Sequence, residues 1–397
     1  MSRGRSIGRR RATRPTTTSR KVVGLCHGLA GLYRSVSLWQ SREMAAANQM
    51  GDAMNTAVTA REYRFNFHGV ELRFSTSSQA FVAPVLTFLR HFHAEEVRGD
   101  TVLTMQFEEV ASRAEVPVQV SDTGKILFSG TRPSMGDSLR ALWQCEVLQD
   151  GDRIIADFHE QGLLLIDGAR NLVEGYFVRP DAMHTDVCTS FFHFALSELL
   201  KRNGLYTVHA TALEYQGRGV LIPGYSGQGK TTSFLSLLRS GFRYLSDDYP
   251  LLRDRGTHME LLAFPMKIDV TDRTIEFFPE LRHAAPGILQ QGICKKFFQA
   301  EDLYAGSIGN SCTPAMIIFP HVVDMPHSCL EPLPKSRALE AIMPQGLLVY
   351  DQAVARREFQ VLSRLVQQVD CYRLHFGRDI LDLPKLITPL LEMCKSA

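Results

Sequence analysis

The sequence predicts an α/β fold preceded by a mostly β lobe of α+β type, and three observations predict it. Residues 61–178 break into short runs of alternating apolar and polar residues separated by Gly, Asp and Asn turns. Residues 205–248 then switch between strand-like and helix-like periodicity. Between two of those stretches lies "GYSGQGKT", a glycine-rich segment that an apolar run enters and a helical pattern leaves.

The elements follow in order. "YRFNFHGVELRFS" reads as two strands around a His68-Gly69 hairpin turn, and "FVAPVLTFLRHFH" has apolar residues at helical spacing. "VPVQVSD", "GKILFSG", "ALWQCEVLQ", "RIIADFHEQGLLLID" and "NLVEGYFVR" read as successive strands. "DVCTSFFHFALSELLKRNG" is an apolar helix that ends on Lys, Arg, Asn and Gly. "YTVHATALEY" and "RGVLIPG" are expected strands, "KTTSFLSLLRSG" a helix closed by Gly241, and "FRYLSDD" a strand. Further on, "SRALEAIMP", "RREFQVLSRLVQQV" and "LPKLITPLLEMC" read as helices, with "CYRLHF" a strand. The expected domains are a basic, disordered tail (1–60), an N-terminal lobe (61–200) and an α/β domain (201–397).

Composition narrows the function classes. A chain of 397 residues is more than one compact core usually needs. Its 45% hydrophobic and 22% charged residues are ordinary for a globular protein. No run approaches the roughly 20 apolar residues of a spanning helix. The net charge of +2 conceals an asymmetry: residues 1–42 hold ten Arg or Lys and no acid, leaving 34 basic against 42 acidic residues beyond them. An acidic body is no nucleic-acid surface, so no specific nucleic acid and no membrane is expected as partner. The basic tail has the composition of a disordered arm, of a transit peptide, or of upstream sequence preceding a start at Met44, Met50 or Met54. Eight scattered cysteines with no C-x-x-C pair point to idle thiols in a reducing, cytoplasmic compartment.

Gly224 to Thr231 satisfies G-x-x-x-x-G-K-[ST]. Glycines let the backbone turn so that successive N–H groups point inward at anionic oxygens, and the helix that follows adds its positive end. A nucleotide triphosphate is therefore expected on Gly224, Ser226, Gly227, Gln228, Gly229, Lys230, Thr231 and Thr232. Lys230 is placed to meet the β- and γ-phosphates, and Thr231 to offer a hydroxyl to Mg²⁺. Asp247 and Asp248 close the strand after the loop's helix. Ligands in open α/β sheets sit beyond the carboxyl ends of strands, so this pair is expected beside the loop, holding metal and accepting a proton. His209, on the strand before the loop's own, reads by itself as a core histidine.

The stretch "HATALEYQGRGVLIPGYSGQGKTTSFLSLLRSGFRYLSDDYPLL" resembles the P-loop domain of the HPr kinase/phosphorylase family and its wider HPr-kinase-like group, related in fold to the phosphoenolpyruvate carboxykinases. The resemblance is strong over roughly residues 205–255 and continues weakly through "AFPMKIDV", "KKFF" and "MIIFP". It implies a Walker A kinase that uses ATP and Mg²⁺, with catalytic roles for Lys230, Asp247, Asp248 and His209, and metal on Thr231, Asp247 and Asp248. The chain departs from the family in lacking a Glu-Ile-Arg-Gly segment after the aspartates, the nearest stretch being "FPMKIDV", and in its N-terminal lobe. HPr is thus not the implied acceptor. The expected activity is transfer of the γ-phosphate to a hydroxyl of a peptide, a protein or a small molecule. A binding module without transfer and a carboxykinase-like enzyme stay open beside it, as does a homo-oligomer. Lys295 and Lys296 read as a solvated pair.

Overall fold

The computed structural model describes residues 61–95, 101–118, 124–131, 144–183, 185–225, 227–290, 293–346 and 351–393; the expectations for the basic tail and for Ser226 lie outside them. The first half supplies β1 (Arg61–Phe67), β2 (Val70–Thr76), β3 (Thr101–Val110), β4 (Lys125–Thr131), β5 (Gln144–Asp150), β6 (Arg153–Asp157), β7 (Gly162–Asp167) and β8 (Leu172–Val178). They form one sheet in the order β1-β2-β3-β8-β7-β6-β5-β4. His68 and Gly69 both take positive φ, 52° and 96°, as a two-residue hairpin turn requires, so Phe67 pairs with Val70. Helices α1 (Gln79–Phe88) and α2 (Thr185–Arg202) cover one face, where Phe65, Phe74, Phe107, Phe177, Phe191 and Phe192 pack together.

Two details differ from the sequence reading. Arg113–Glu115 is a short 3₁₀ turn and residues 116–118 of "VPVQVSD" are not strand; the rest of that run lies outside the described residues. Strand β3, absent from that reading, sits inside the sheet, with Leu103, Met105 and Phe107 buried on alternate positions.

The second half adds β9 (Tyr206–Thr207), β10 (Ala210–Tyr215), β11 (Arg218–Pro223), α3 (Lys230–Arg239), β12 (Arg243–Ser246), β13 (Leu251–Asp254), β14 (Met259–Leu262), β15 (Ile268–Thr271) and α4 (Asp272–Phe277). It continues with β16 (Ala285–Gln290), β17 (Ile293–Phe298), α5 (Ala300–Leu303), β18 (Ser311–Val322), β19 (Cys329–Pro332), α6 (Lys335–Gly346), α7 (Gln352–Gln368), β20 (Asp370–Phe376) and α8 (Leu383–Met393). The large sheet runs β12-β10-β11-β18-β14-β13-β9, and β20 joins it by pairing with β18. β11, β18 and β20 are parallel, while β10 is antiparallel to both neighbours. Alternation along the strands then sorts the side chains. Val220, Ile222, Ile318 and Leu374 face α3 and α8, while Leu221, Ile317 and Cys371 face α6 and α7.

The two sheets share a core. Phe264, just past β14, stacks on Phe67 at 5.9 Å between ring centres and lies among the aromatics of the first sheet. Arg253 donates to the His68 carbonyl at 2.7 Å, and the His68 ring bonds the Ala263 carbonyl at 2.8 Å. Among the described residues no helix is long and apolar enough to cross a membrane. Cys145, Cys188, Cys312 and Cys371 are buried free thiols, and Cys329 is an exposed one.

Candidate functional site

The site forms where three chain segments reach one edge of the large sheet. Because β10 runs antiparallel between β11 and β12, its first residue lies beside the last residues of both. Ala210 pairs with Pro223, the end of β11, and its N–H donates to the Asp248 carbonyl at 3.3 Å. The phosphate-loop motif, the aspartate pair and His209 therefore converge although up to 39 residues separate them in sequence.

The loop is built as its glycines require. Gly224, Gly227 and Gly229 have φ of 157°, 84° and 93°, and Gly229 is the residue before the first turn of α3. A β-carbon at Gly229 would lie 3.0 Å from the Phe376 ring and 3.3 Å from Val322, so position 229 is closed to side chains both by backbone and by space. The Gln228 side-chain oxygen accepts the Tyr225 N–H at 2.8 Å, folding that carboxamide back over Gly224.

Lys230 opens α3 and is buried, its amine turned back to donate to the Gly224 carbonyl. The same amine lies 3.2 Å from His209 Nε2. Burial lowers its pKa, with the Lys295 charge adding to that and Asp248 and Asp247 opposing it.

His209 is not within a strand: β9 stops at Thr207 and β10 begins at Ala210. That break is stabilised from α6. The His209 N–H donates to the Gln345 carbonyl at 2.7 Å, and Nδ1 is 2.9 Å from Gln345 Oε1. Since the amide oxygen only accepts, Nδ1 carries the proton, and in the neutral ring Nε2 accepts from Lys230. Nε2 is also 3.5 Å from Asp248 Oδ1. Gln345 thus selects the tautomer that lets His209 stand between the amine and the carboxylate.

The two aspartates are in different surroundings. β12 ends at Ser246, so both lie past the strand. Asp247 is buried, and its Oδ1 and carbonyl both accept from the Thr211 hydroxyl at 3.0 Å. Burial, then the charge of Asp248, push its pKa well above the usual carboxylate range. The Asp248 side chain is 45% exposed and faces His209. Desolvation works against its charge, but the hydrogen bond and charge of His209, then Lys230 and Lys295, hold its pKa below the ordinary range.

Three residues near the site were misread or given no role from sequence. Lys295 is half-buried on β17, and its charge acts on both Asp248 and Lys230, so it is not the solvated lysine expected; Lys296, on the opposite face of the strand, pairs with Asp272 at 2.9 Å. Asp269, on the neighbouring β15, adds negative charge next to Asp247. Alternation within "KKFF" was the available signal, but which lysine faces the site depends on how the small sheet docks. Gln345 had no signal at all. Thr231 and Thr232 are half-buried on the first turn of α3. Among the described residues no three His, Cys, Asp or Glu side chains converge as a metal site. A magnesium ion here would take oxygens from Thr231, the aspartates, phosphate and water, the mixed set that ion prefers.

No family model matches the chain. Among solved structures it is similar to the Hpr(Ser) kinase/phosphatase from Coxiella burnetii, at 16% identity over 48% of this chain and 95% of that one, with a TM-score of 0.25. A likeness that slight assigns no activity.

Proposed function

We propose that the chain is a Mg²⁺-dependent kinase that transfers the γ-phosphate of ATP to a hydroxyl group. The observation that carries this reading is the meeting of Lys230, His209 and Asp248 at the mouth of a glycine loop, with distances of 3.2 and 3.5 Å along the chain of groups. A buried amine beside a glycine loop that opens a helix suits the charge that develops on a phosphoryl group in transfer. A half-exposed carboxylate next to it suits a hydroxyl that must lose a proton.

In this reading Lys230 and the loop amides hold the β- and γ-phosphates. Thr231 and Asp247 hold Mg²⁺, which when bound neutralises phosphate charge. Asp248 takes the acceptor's proton as its oxygen bonds to the γ-phosphorus and the bond to the β-phosphate oxygen breaks. His209, fixed by Gln345, keeps Asp248 aimed and ionised until then. Calorimetric titration of the full chain with ATP, with and without Mg²⁺, tests the first half of this reading. It expects binding strengthened by Mg²⁺ and lost in Lys230→Ala; heat signals indifferent to both would refute it.

A further inference from the structure

Beside the phosphate loop, on the α6 face of the sheet, lies an open pocket of about 500 Å³. Gly224 and Tyr225 of the loop form one wall. Phe319 and His321 of β18 and Arg373 of β20 form the floor, and Gln345 of α6 closes the side next to His209. Strand geometry explains the floor. Phe319 pairs with Arg373 and His321 with His375, so these four side chains share one sheet face where the two parallel strands end. None of the described residues lining the pocket is acidic. Glu331 is across the strand pair from Arg373; its carboxylate is engaged by His375 Nε2 at 2.9 Å and also feels the Arg373 charge.

Position and charge together say what the pocket takes. The Lys230 amine, which in the kinase reading spans the β- and γ-phosphates, points at Gly224, and Gly224 lines the pocket. In that reading the pocket opens at the γ end of the phosphate chain, on the acceptor's side rather than the nucleobase's. Its volume falls in the range of small-molecule sites. Arginine at the end of a concave wall is suited to hold a carboxylate through paired N–H donors.

We propose that this pocket seats the acceptor and that the acceptor is a small hydroxylated acid. Arg373 and His321 hold its carboxylate, and its hydroxyl points past Gln345 towards Asp248. The inference rests on the kinase reading. The transfer step is balanced within it: the hydroxyl proton passes to Asp248, the oxygen forms the new P–O bond, and ADP leaves with the electrons of the old one.

The test uses the full chain with Mg-ATP and pairs of compounds that differ in charge: glycerate against glycerol, and gluconate against glucose. Oxaloacetate and a serine-containing peptide are added as other acceptor types. Products are read by mass spectrometry, and KM for the acid is measured in the parent, Arg373→Gln and Arg373→Lys. The expected result is phosphorylation of an acid well above its neutral partner. Arg373→Gln then raises KM for that acid about 10- to 100-fold, the worth of a lost charge-assisted hydrogen bond, and Arg373→Lys restores part of it. The dissociation constant for Mg-ATP does not follow. If Mg-ATP binds but no acid is phosphorylated, or the neutral partner or the peptide serves better, the proposal is overturned and the kinase reading is untouched; if oxaloacetate serves better, a carboxykinase-like activity replaces both. An Arg373→Gln KM equal to the parent's also overturns it. If the parent does not bind Mg-ATP at all, both fall.

Discussion

Lys230 brings a charge into a buried place where a main-chain carbonyl and an imidazole nitrogen receive it. An amine held that way, with its pKa depressed by burial, is stabilised by an arriving polyanion. Lys230→Ala should therefore weaken ATP binding by about 2–4 kcal/mol, the usual worth of such a group in a desolvated site, as read by calorimetry. Gly229→Val should also weaken binding, because the new side chain meets Phe376 and Val322 at a backbone φ of 93°. An unchanged affinity in both would make the loop a plain strand-to-helix turn. Asp247→Asn should keep the fold, since the amide oxygen still accepts from Thr211, and should flatten the dependence of nucleotide binding on Mg²⁺. At this scale the motif residues were legible because glycine, lysine and threonine at fixed spacing have one main use. Gln345 was not, because it acts on His209 across 136 residues of sequence; Arg373 and His321 were not, because only the fold lines them up with the glycine loop in one pocket.

Helix α2 holds a buried ion cluster. Glu198 is fully buried, with Lys201 at 2.6 Å and Arg202 at 2.8 Å, and Arg202 reaches Asp351 at 2.7 Å, the residue that caps α7. Burial opposes the charge on Glu198, but the two cations outweigh it and bring its pKa from 4.5 to about 2. A depressed carboxylate adds stability above its unfolded pKa and loses it as pH falls through the folded value. The cluster should thus contribute fully above about pH 4.5 and be lost by about pH 2, on the order of 3 kcal/mol over that window. Acid unfolding followed by circular dichroism should show that loss, and Glu198→Gln, which removes the carboxylate shared by Lys201 and Arg202, should remove the step and lower stability at neutral pH by about 3–5 kcal/mol. Most elements were readable: α2 by its apolar spacing and its Lys-Arg-Asn-Gly stop, α3 by Gly241, and the hairpin by His68-Gly69. Strand β3 carried the same alternation, Leu103-Met105-Phe107 against Thr104-Gln106-Glu108, so its signal was present in the sequence. The break at Val208-His209 carried none, because Gln345 and not local propensity interrupts an apolar strand pattern.

In the molecule as a whole, the large sheet does not close its core without the first one. Phe264, Leu251 and Leu262 are buried among Phe67, Phe92 and Leu89, and the ring of Tyr249, next to the aspartates, lies tilted against His193 of α2 at 4.0 Å between centres. Residues 57–397 should therefore melt in one transition, and a fragment starting at residue 205 should expose that aromatic surface and aggregate. Starting the chain near Met54 should leave folding and nucleotide affinity as they are, since the basic tail lacks the apolar periodicity of a core segment. The most direct test of the central claim is single-turnover consumption of γ-labelled Mg-ATP by the full chain and by Asp248→Asn, each with a hydroxyl compound that the parent phosphorylates. A kinase with Asp248 as its base should bind Mg-ATP almost unchanged in the variant, while consumption falls by roughly 10²–10⁴, the worth of general-base help. Consumption at the parent rate would contradict it.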